Sequence, residues 1–171
     1  MATNIEIKAQ VHNFERMKER AEQLSDTPVE LIKQRDTFFH TPQGRLKLRQ
    51  FTPTSGQLIY YQRHNDTGPT RSDYYLVPTQ EPLKLEKALS AAWGVRGVVI
   101  KERLLYLVGQ TRIHLDRVEG LGCFLELEVV MRKGQSMAEG EAIAQALMRQ
   151  LDIGGADLLD LAYIDLLERK G

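Results

Sequence analysis

The chain has 171 residues, 42% hydrophobic and 27% charged, which is the size and composition of one globular domain spanning 1–171. Its 23 basic and 23 acidic side chains cancel, which argues against a protein that coats nucleic acid, since such a protein needs a net positive face. A single cysteine, no apolar run of bilayer length and no signal or transit pattern exclude an intrachain disulfide and a spanning helix, so a cytoplasmic setting is expected.

Alternation with period two opens the chain: Ile5, Ile7, Ala9 and Val11 share one face, Asn4, Glu6, Lys8 and Gln10 the other. Asn13 is placed to cap a helix carrying Phe14, Met17, Ala21 and Leu24. An extended region follows from about Val29 to Thr41, then the turn Pro42-Gln43-Gly44 and the alternating block Arg45-Leu46-Lys47-Leu48-Arg49. The segment Pro53-Thr54-Ser55-Gly56 reads as the next turn, Leu58–Arg63 and Ser72–Pro78 as further strands. Thr79 then caps a helix with Leu83, Leu85, Leu89 and Trp93, stopped by Gly94. Three strands are expected at Val98–Val108, Arg112–Val118 and Cys123–Arg132. Ser136 and Glu139 have capping-box spacing and open a helix with Ile143, Leu147 and Leu151 on one face. Gly154-Gly155 breaks the chain before a terminal helix over Leu158–Leu167. About eight strands and three or four helices make an α+β domain. Cys123, beside Phe124 and Leu125, reads as a buried, inert thiol.

The informative feature is what fills the polar strand faces. Arg45, Lys47 and Arg49 share one face; Lys101 and Arg103 share another, as do Arg112, His114 and Asp116, and Glu126 and Glu128. Arg63 ends its strand, and Lys8 follows Glu6 by two residues. A solvated sheet face normally mixes signs, because like charges directly opposite one another destabilise a sheet. Here whole strands are basic and another is acidic. Turned inward around a closed barrel, such faces make a polar lumen that repels itself when empty and calls for a polyanion with a cation for the acids. A polyphosphate with Mg²⁺ or Mn²⁺ meets that demand: Arg and Lys clamp phosphoryl oxygens, and carboxylates give hard oxygen ligands to the bridging ion. The competing reading is an antiparallel sheet with one wet face. No His or Cys spacing of a zinc site occurs; His114 can face the lumen, where hydrogen bonding is favoured over metal ligation.

Asn4-Ile5-Glu6-Ile7-Lys8, Arg45-Leu46-Lys47-Leu48-Arg49, Lys101-x-Arg103, Thr111–Asp116 and Phe124-Leu125-Glu126-Leu127-Glu128, in this order, resemble the CYTH superfamily, which includes class IV adenylyl cyclases, thiamine triphosphatases and triphosphate tunnel metalloenzymes. The resemblance runs from Asn4 to Leu167. It implies an antiparallel eight-stranded β-barrel with helices outside, dependence on Mg²⁺ or Mn²⁺, and a small-molecule triphosphate as partner, with no nucleic acid or membrane and a homodimer left open. By position, Glu6, Glu126 and Glu128 resemble metal ligands. Lys8, Arg45, Lys47, Arg63, Lys101, Arg103 and Arg112 resemble the phosphate cradle, with Arg49 on the same face nearer the rim. Asp116 is the lumenal acid outside the metal set, with a catalytic or orienting role. Asn4 stands where the family's Glu-x-Glu-x-Lys motif has its first Glu, so one metal is expected to bind well and a second weakly. Three functions follow from the resemblance: triphosphate hydrolysis, favoured slightly; cyclisation of ATP to cyclic AMP and pyrophosphate; and nucleotide or polyphosphate binding without turnover.

Overall fold

Strands whose alternate side chains are charged and apolar must bury the apolar side without drying the charged one, and a closed barrel does both. The computed structural model describes residues 1–171. In chain order it contains β1 (Ala2–Gln10), α1 (Phe14–Leu24), β2 (Glu30–Phe39), β3 (Arg45–Thr52), β4 (Ser55–Arg63), β5 (Thr70–Thr79), α2 (Pro82–Trp93), β6 (Val95–Val108), β7 (Thr111–Val118), β8 (Gly122–Val130), α3 (Met137–Leu151), β9 (Leu158–Leu159) and α4 (Tyr163–Lys170). The sheet runs β5-β4-β3-β2-β6-β7-β8-β1, and β5 returns to pair with β1 from Ala2↔Tyr74 to Glu6↔Thr70. This closes an eight-stranded antiparallel barrel. The two residues of β9 pair with Lys8 and Ala9, occupying the part of the β1 edge that lies beyond the end of β5.

The hydrophobic core sits outside the barrel wall. Ile5, Ile7, Ile113, Leu115, Leu125, Leu127 and Val129 point outward and pack with Ala21 of α1 and Ala144, Leu147 and Leu151 of α3. Their strand neighbours therefore point into the lumen. A smaller apolar cluster of Phe38, Val99, Val118, Phe124, Ala162, Tyr163 and Ile164 lies where α4 meets one end of the barrel. No helix is long and apolar enough to cross a membrane.

Capping follows the sequence where it is local. Asn13 Oδ1 accepts from Arg16 N–H, and Ser136 with Glu139 forms the reciprocal box at the start of α3. Elsewhere long-range pairing overrides the local pattern. Leu158–Leu159 form β9 rather than the start of a helix, because the free edge of β1 offers backbone partners there; α4 begins only at Tyr163. Ser55 and Gly56 belong to β4, and the turn shrinks to Pro53-Thr54. Thr79 ends β5; its Oγ1 accepts from Glu81 N–H, and α2 starts at Pro82, whose ring presets the first helical φ. Cys123 is half-buried rather than buried.

Gly140 lets α3 lie close on β1: a Cβ there meets Met131 Sδ and, at 2.9 Å, Ile5 Cγ1. Ala is the better helix former by about 1 kcal/mol, but Ile5 is fixed in the sheet, and overpacking costs roughly 1–3 kcal/mol. Gly140→Ala is therefore expected to lower the melting temperature by about 2–4 °C. A rise in a thermal scan refutes this account of the contact.

Candidate functional site

Inward-facing side chains from all eight strands line a cavity of about 300 Å³. Seven cations and four carboxylates are among them: Lys8, Lys47, Arg49, Arg63, Lys101, Arg103 and Arg112 against Glu6, Asp36, Glu126 and Glu128. The lumen thus carries excess positive charge, although the whole chain is neutral. Phe51, Ile59 and Leu76 supply apolar wall beside the charges.

The charges are paired across strands. Register sets Arg103 opposite Asp116 and Lys8 opposite Glu126. Arg103 Nε and Nη2 each donate to Asp116 at 2.7 Å, and Nη2 also reaches Glu126 Oε2 at 3.2 Å. Lys8 Nζ lies 3.3 Å from Glu126 Oε1, Arg63 Nε 3.4 Å from Glu6 Oε2, and Arg112 2.9 Å from Glu128 Oε2. Asp36 on β2 gathers three cations: Arg49 in a two-pronged hydrogen bond at 2.8 Å, and Lys47 and Lys101 at 3.6 Å each. The basic and acidic blocks that look self-repelling along the chain therefore interleave in space. The expected repulsion is corrected accordingly: what remains is an excess of cations rather than a set of bare ones.

Electrostatics sorts these groups. Burial opposes the charge on Asp36, but Arg49, Lys101 and Lys47 outweigh it and hold the carboxyl far below the usual range. Burial also acts against Glu126 and Glu128; Lys8 pulls Glu126 well down, and Arg112 and Arg103 lower Glu128. Glu6 goes the other way. Burial first, then the neighbouring Glu128 carboxylate, push it up to about 7 against the pull of Arg63. Burial, reinforced by Arg103, lowers Lys101 to about 7. The same two causes lower His114 and favour its neutral form.

One end of the barrel is crossed by the segment Asp160–Asp165. Lys8 Nζ donates to Leu161 O and Arg63 Nη1 to Asp160 O, both at 3.1 Å. Tyr163 OH donates to Asp116 Oδ2 at 2.8 Å, with its ring 4.0 Å from Lys8 Nζ and 4.9 Å from Lys101 Nζ. Asp165 accepts from Arg45 at 2.7 Å and Arg96 at 2.6 Å. The segment therefore bonds to β1, β3, β4, β6 and β7. Ile164 seats against Gly97, where a Cβ approaches Ile164 Cδ1 to 2.5 Å.

Of the residues singled out from sequence, ten line the cavity: Lys8, Lys47, Arg49, Arg63, Lys101, Arg103, Arg112, Glu6, Glu126 and Glu128. Arg45 is set apart from them, at the crossing segment. Asp116 lies behind Arg103, fully buried, with its oxygens taken by Arg103 and Tyr163. The sequence reading passed over Asp36 and Tyr163. Asp36 lies two residues from Gln34 and Phe38 on one strand face, but Lys33 and Arg35 put charge on the other face of the same strand, so alternation does not mark it. Tyr163 leaves no local signal.

The donor chemistry fits a divalent cation. Glu126, Glu128 and His114 bring ligand atoms within 4.8 Å of one another, and His114 Nδ1 is buried without a hydrogen-bond partner, as is Asn4 Oδ1. Glu6 sits across the β1–β8 pair from Glu128.

The family model for the CYTH domain matches residues 2–163. Among solved structures, the PH1012 protein from Pyrococcus horikoshii OT3 superposes with a TM-score of 0.85 at 27% identity, covering 95% of this chain and 98% of that one. A protein from Vibrio parahaemolyticus, described as an adenylate cyclase candidate, gives 0.79 at 21% identity over 96% and 97% of the two chains. A Hippeastrum protein, described as an adenylyl cyclase candidate with a dominant triphosphatase activity, gives 0.68 at 13% identity over 99% and 96%. No curated protein matches. With the family's model matching nearly its whole length and the closed barrel in place, the chain belongs to the CYTH domain family.

Proposed function

We propose that this protein binds a triphosphate in the barrel lumen with Mg²⁺ or Mn²⁺ and hydrolyses it. The observation that carries the reading is the lining itself: seven cations against four carboxylates around one cavity, a surplus that an anion of high charge density neutralises. The activity described for the Hippeastrum relative points the same way.

The residues divide by chemistry. Lys47, Arg49, Lys101 and Arg103 form the cradle on β3 and β6, with Lys8, Arg63 and Arg112 completing it and Arg45 tied to Asp165 of the crossing segment. Each is already held by a carboxylate, so the donors are oriented before substrate arrives, and positioning with electrostatics carries most of phosphoryl transfer. Asp116 orients Arg103: a two-pronged ion pair fixes the guanidinium plane and leaves the carboxylate no free oxygen. Glu6, Glu126 and Glu128 would hold the divalent ion, which when bound neutralises phosphate charge and polarises the phosphoryl group. Asn4 offers a neutral oxygen beside them.

A turnover panel of tripolyphosphate, ATP, GTP and thiamine triphosphate with Mg²⁺ and Mn²⁺ tests the reading. Orthophosphate release is expected; pyrophosphate with a cyclic nucleotide assigns a cyclase instead, and binding without products assigns a sensor.

Glu126→Gln removes the partner of Lys8 and Arg103. Metal-dependent turnover should fall about a hundredfold or more, while affinity for tripolyphosphate in EDTA holds or rises, because two cations lose a competitor. Calorimetry showing metal-free affinity falling in step with turnover overturns the assignment.

The raised Glu6 sets a pH dependence. Below about 7 the group carries a proton, and a cation favours the ionised form. Mn²⁺ binding at pH 6 should therefore release a proton, and at pH 8, where Glu6 is already ionised, it should release almost none. Calorimetry in two buffers of different ionisation enthalpy reads this directly. Equal proton release at both pH values removes Glu6 from the site.

A further inference from the structure

We propose that His114 is itself a ligand of the divalent cation, binding through Nδ1 beside Glu126 and Glu128, and that this imidazole biases the centre toward Mn²⁺ and other transition-metal ions over Mg²⁺. The proposal deepens the metal centre described above and rests on those two carboxylates as its oxygen donors.

The backbone places the three donors together. His114 lies inward on β7, and the β7–β8 register sets it opposite Glu126, with Arg112 opposite Glu128. Nδ1 is 3.7 Å from Glu126 Oε2 and 3.8 Å from Glu128 Oε1. Both separations are too long for a hydrogen bond. The residue is only 5% exposed, and Nδ1 has no hydrogen-bond partner. A buried, unpartnered ring nitrogen facing two carboxylates needs an explanation. A shared cation supplies one: two cis bonds of about 2.1 Å in an octahedral shell separate their ligand atoms by roughly 3.0 Å, which side-chain movements of under an ångström from the distances found would reach.

The neighbouring charges make a neutral donor the suitable one. Glu126 already faces Lys8 and Arg103, and Glu128 Oε2 faces Arg112, but Glu128 Oε1 is directed at the imidazole. A further carboxylate would strengthen the cation site at the cost of repelling a polyanion in the same lumen. An imidazole adds a ligand without adding negative charge. It also changes which ion is preferred, since nitrogen donors favour transition metals, whereas Mg²⁺ holds to oxygen and water. The guanidinium groups nearby have no lone pair to give, and at pH 6 Lys101 keeps its proton, so nitrogen bound to the ion at that pH identifies His114.

The test uses the full chain and Mn²⁺ alone, without phosphate. Pulsed electron paramagnetic resonance of bound Mn²⁺ at pH 6 should show coupling to one ¹⁴N nucleus in the wild type, absent in His114→Gln. Calorimetry should show His114→Gln losing about tenfold or more in Mn²⁺ affinity with Mg²⁺ changed less than about threefold, and Glu128→Gln weakening both ions. Circular dichroism checks that the variants fold; if they do not, the wild-type spectrum decides by itself. Mn²⁺ bound without ¹⁴N coupling overturns the imidazole ligand while leaving the carboxylate centre standing. Failure of the wild type to bind either ion overturns both.

Discussion

A charged side chain moved from water into a protein interior loses hydration worth several kcal/mol even after relaxation, and the lumen here holds seven cations and four carboxylates lining a single cavity. Cross-strand pairing is what makes that tolerable. Asp36 with its three cations, and Asp116 with Arg103 and Tyr163, are the two fixed anions around which the rest is arranged. Neither offers an open oxygen to a ligand. They hold other groups in place, and they leave the surplus of positive charge in the cavity rather than at the wall.

Burial of apolar surface is handled on the other side of the strands. The large core lies between the outer faces of β1, β6, β7 and β8 and the helices α1 and α3, so the wall carrying Glu6, Lys8, His114, Glu126 and Glu128 is backed by close-packed side chains. Small displacements of these donors are resisted by a core that does not deform continuously. The opposite wall has less behind it: Tyr75 and Val77 on the outer face of β5 remain exposed. The cation site therefore stands on the stiffer half of the barrel.

How much of this could be read in the sequence depended on how local the signal was. Period-two alternation is a property of neighbouring residues, so the inward faces of β1, β3, β4, β6, β7 and β8 were legible, and with them ten of the cavity's charged residues. The caps at Asn13 and Ser136 were legible for the same reason. Asp36 was not, because β2 carries charge on both faces, with Lys33 and Arg35 turned outward and no segregated pattern to mark the inner one. The crossing segment was not, because its bonds join residues such as Arg45 and Asp165 that are 120 positions apart. Pairing in the lumen was hidden for a related reason. Blocks of one sign along a chain say nothing about which strand will lie beside which.

The same distance along the chain governs how the barrel is made. β1 pairs with β8 through contacts such as Ile7↔Leu127, and at a synthesis rate of about 5–20 residues per second roughly 6–24 s separate the emergence of the two. Until then the first strand has a bare edge, and the ring cannot close around its charges. Asn4, Glu6 and Lys8 along that edge discourage pairing with a stray strand from another chain. The polar residues that later face the cavity thus also guard the nascent chain, and long-range closure of this kind makes for slow folding.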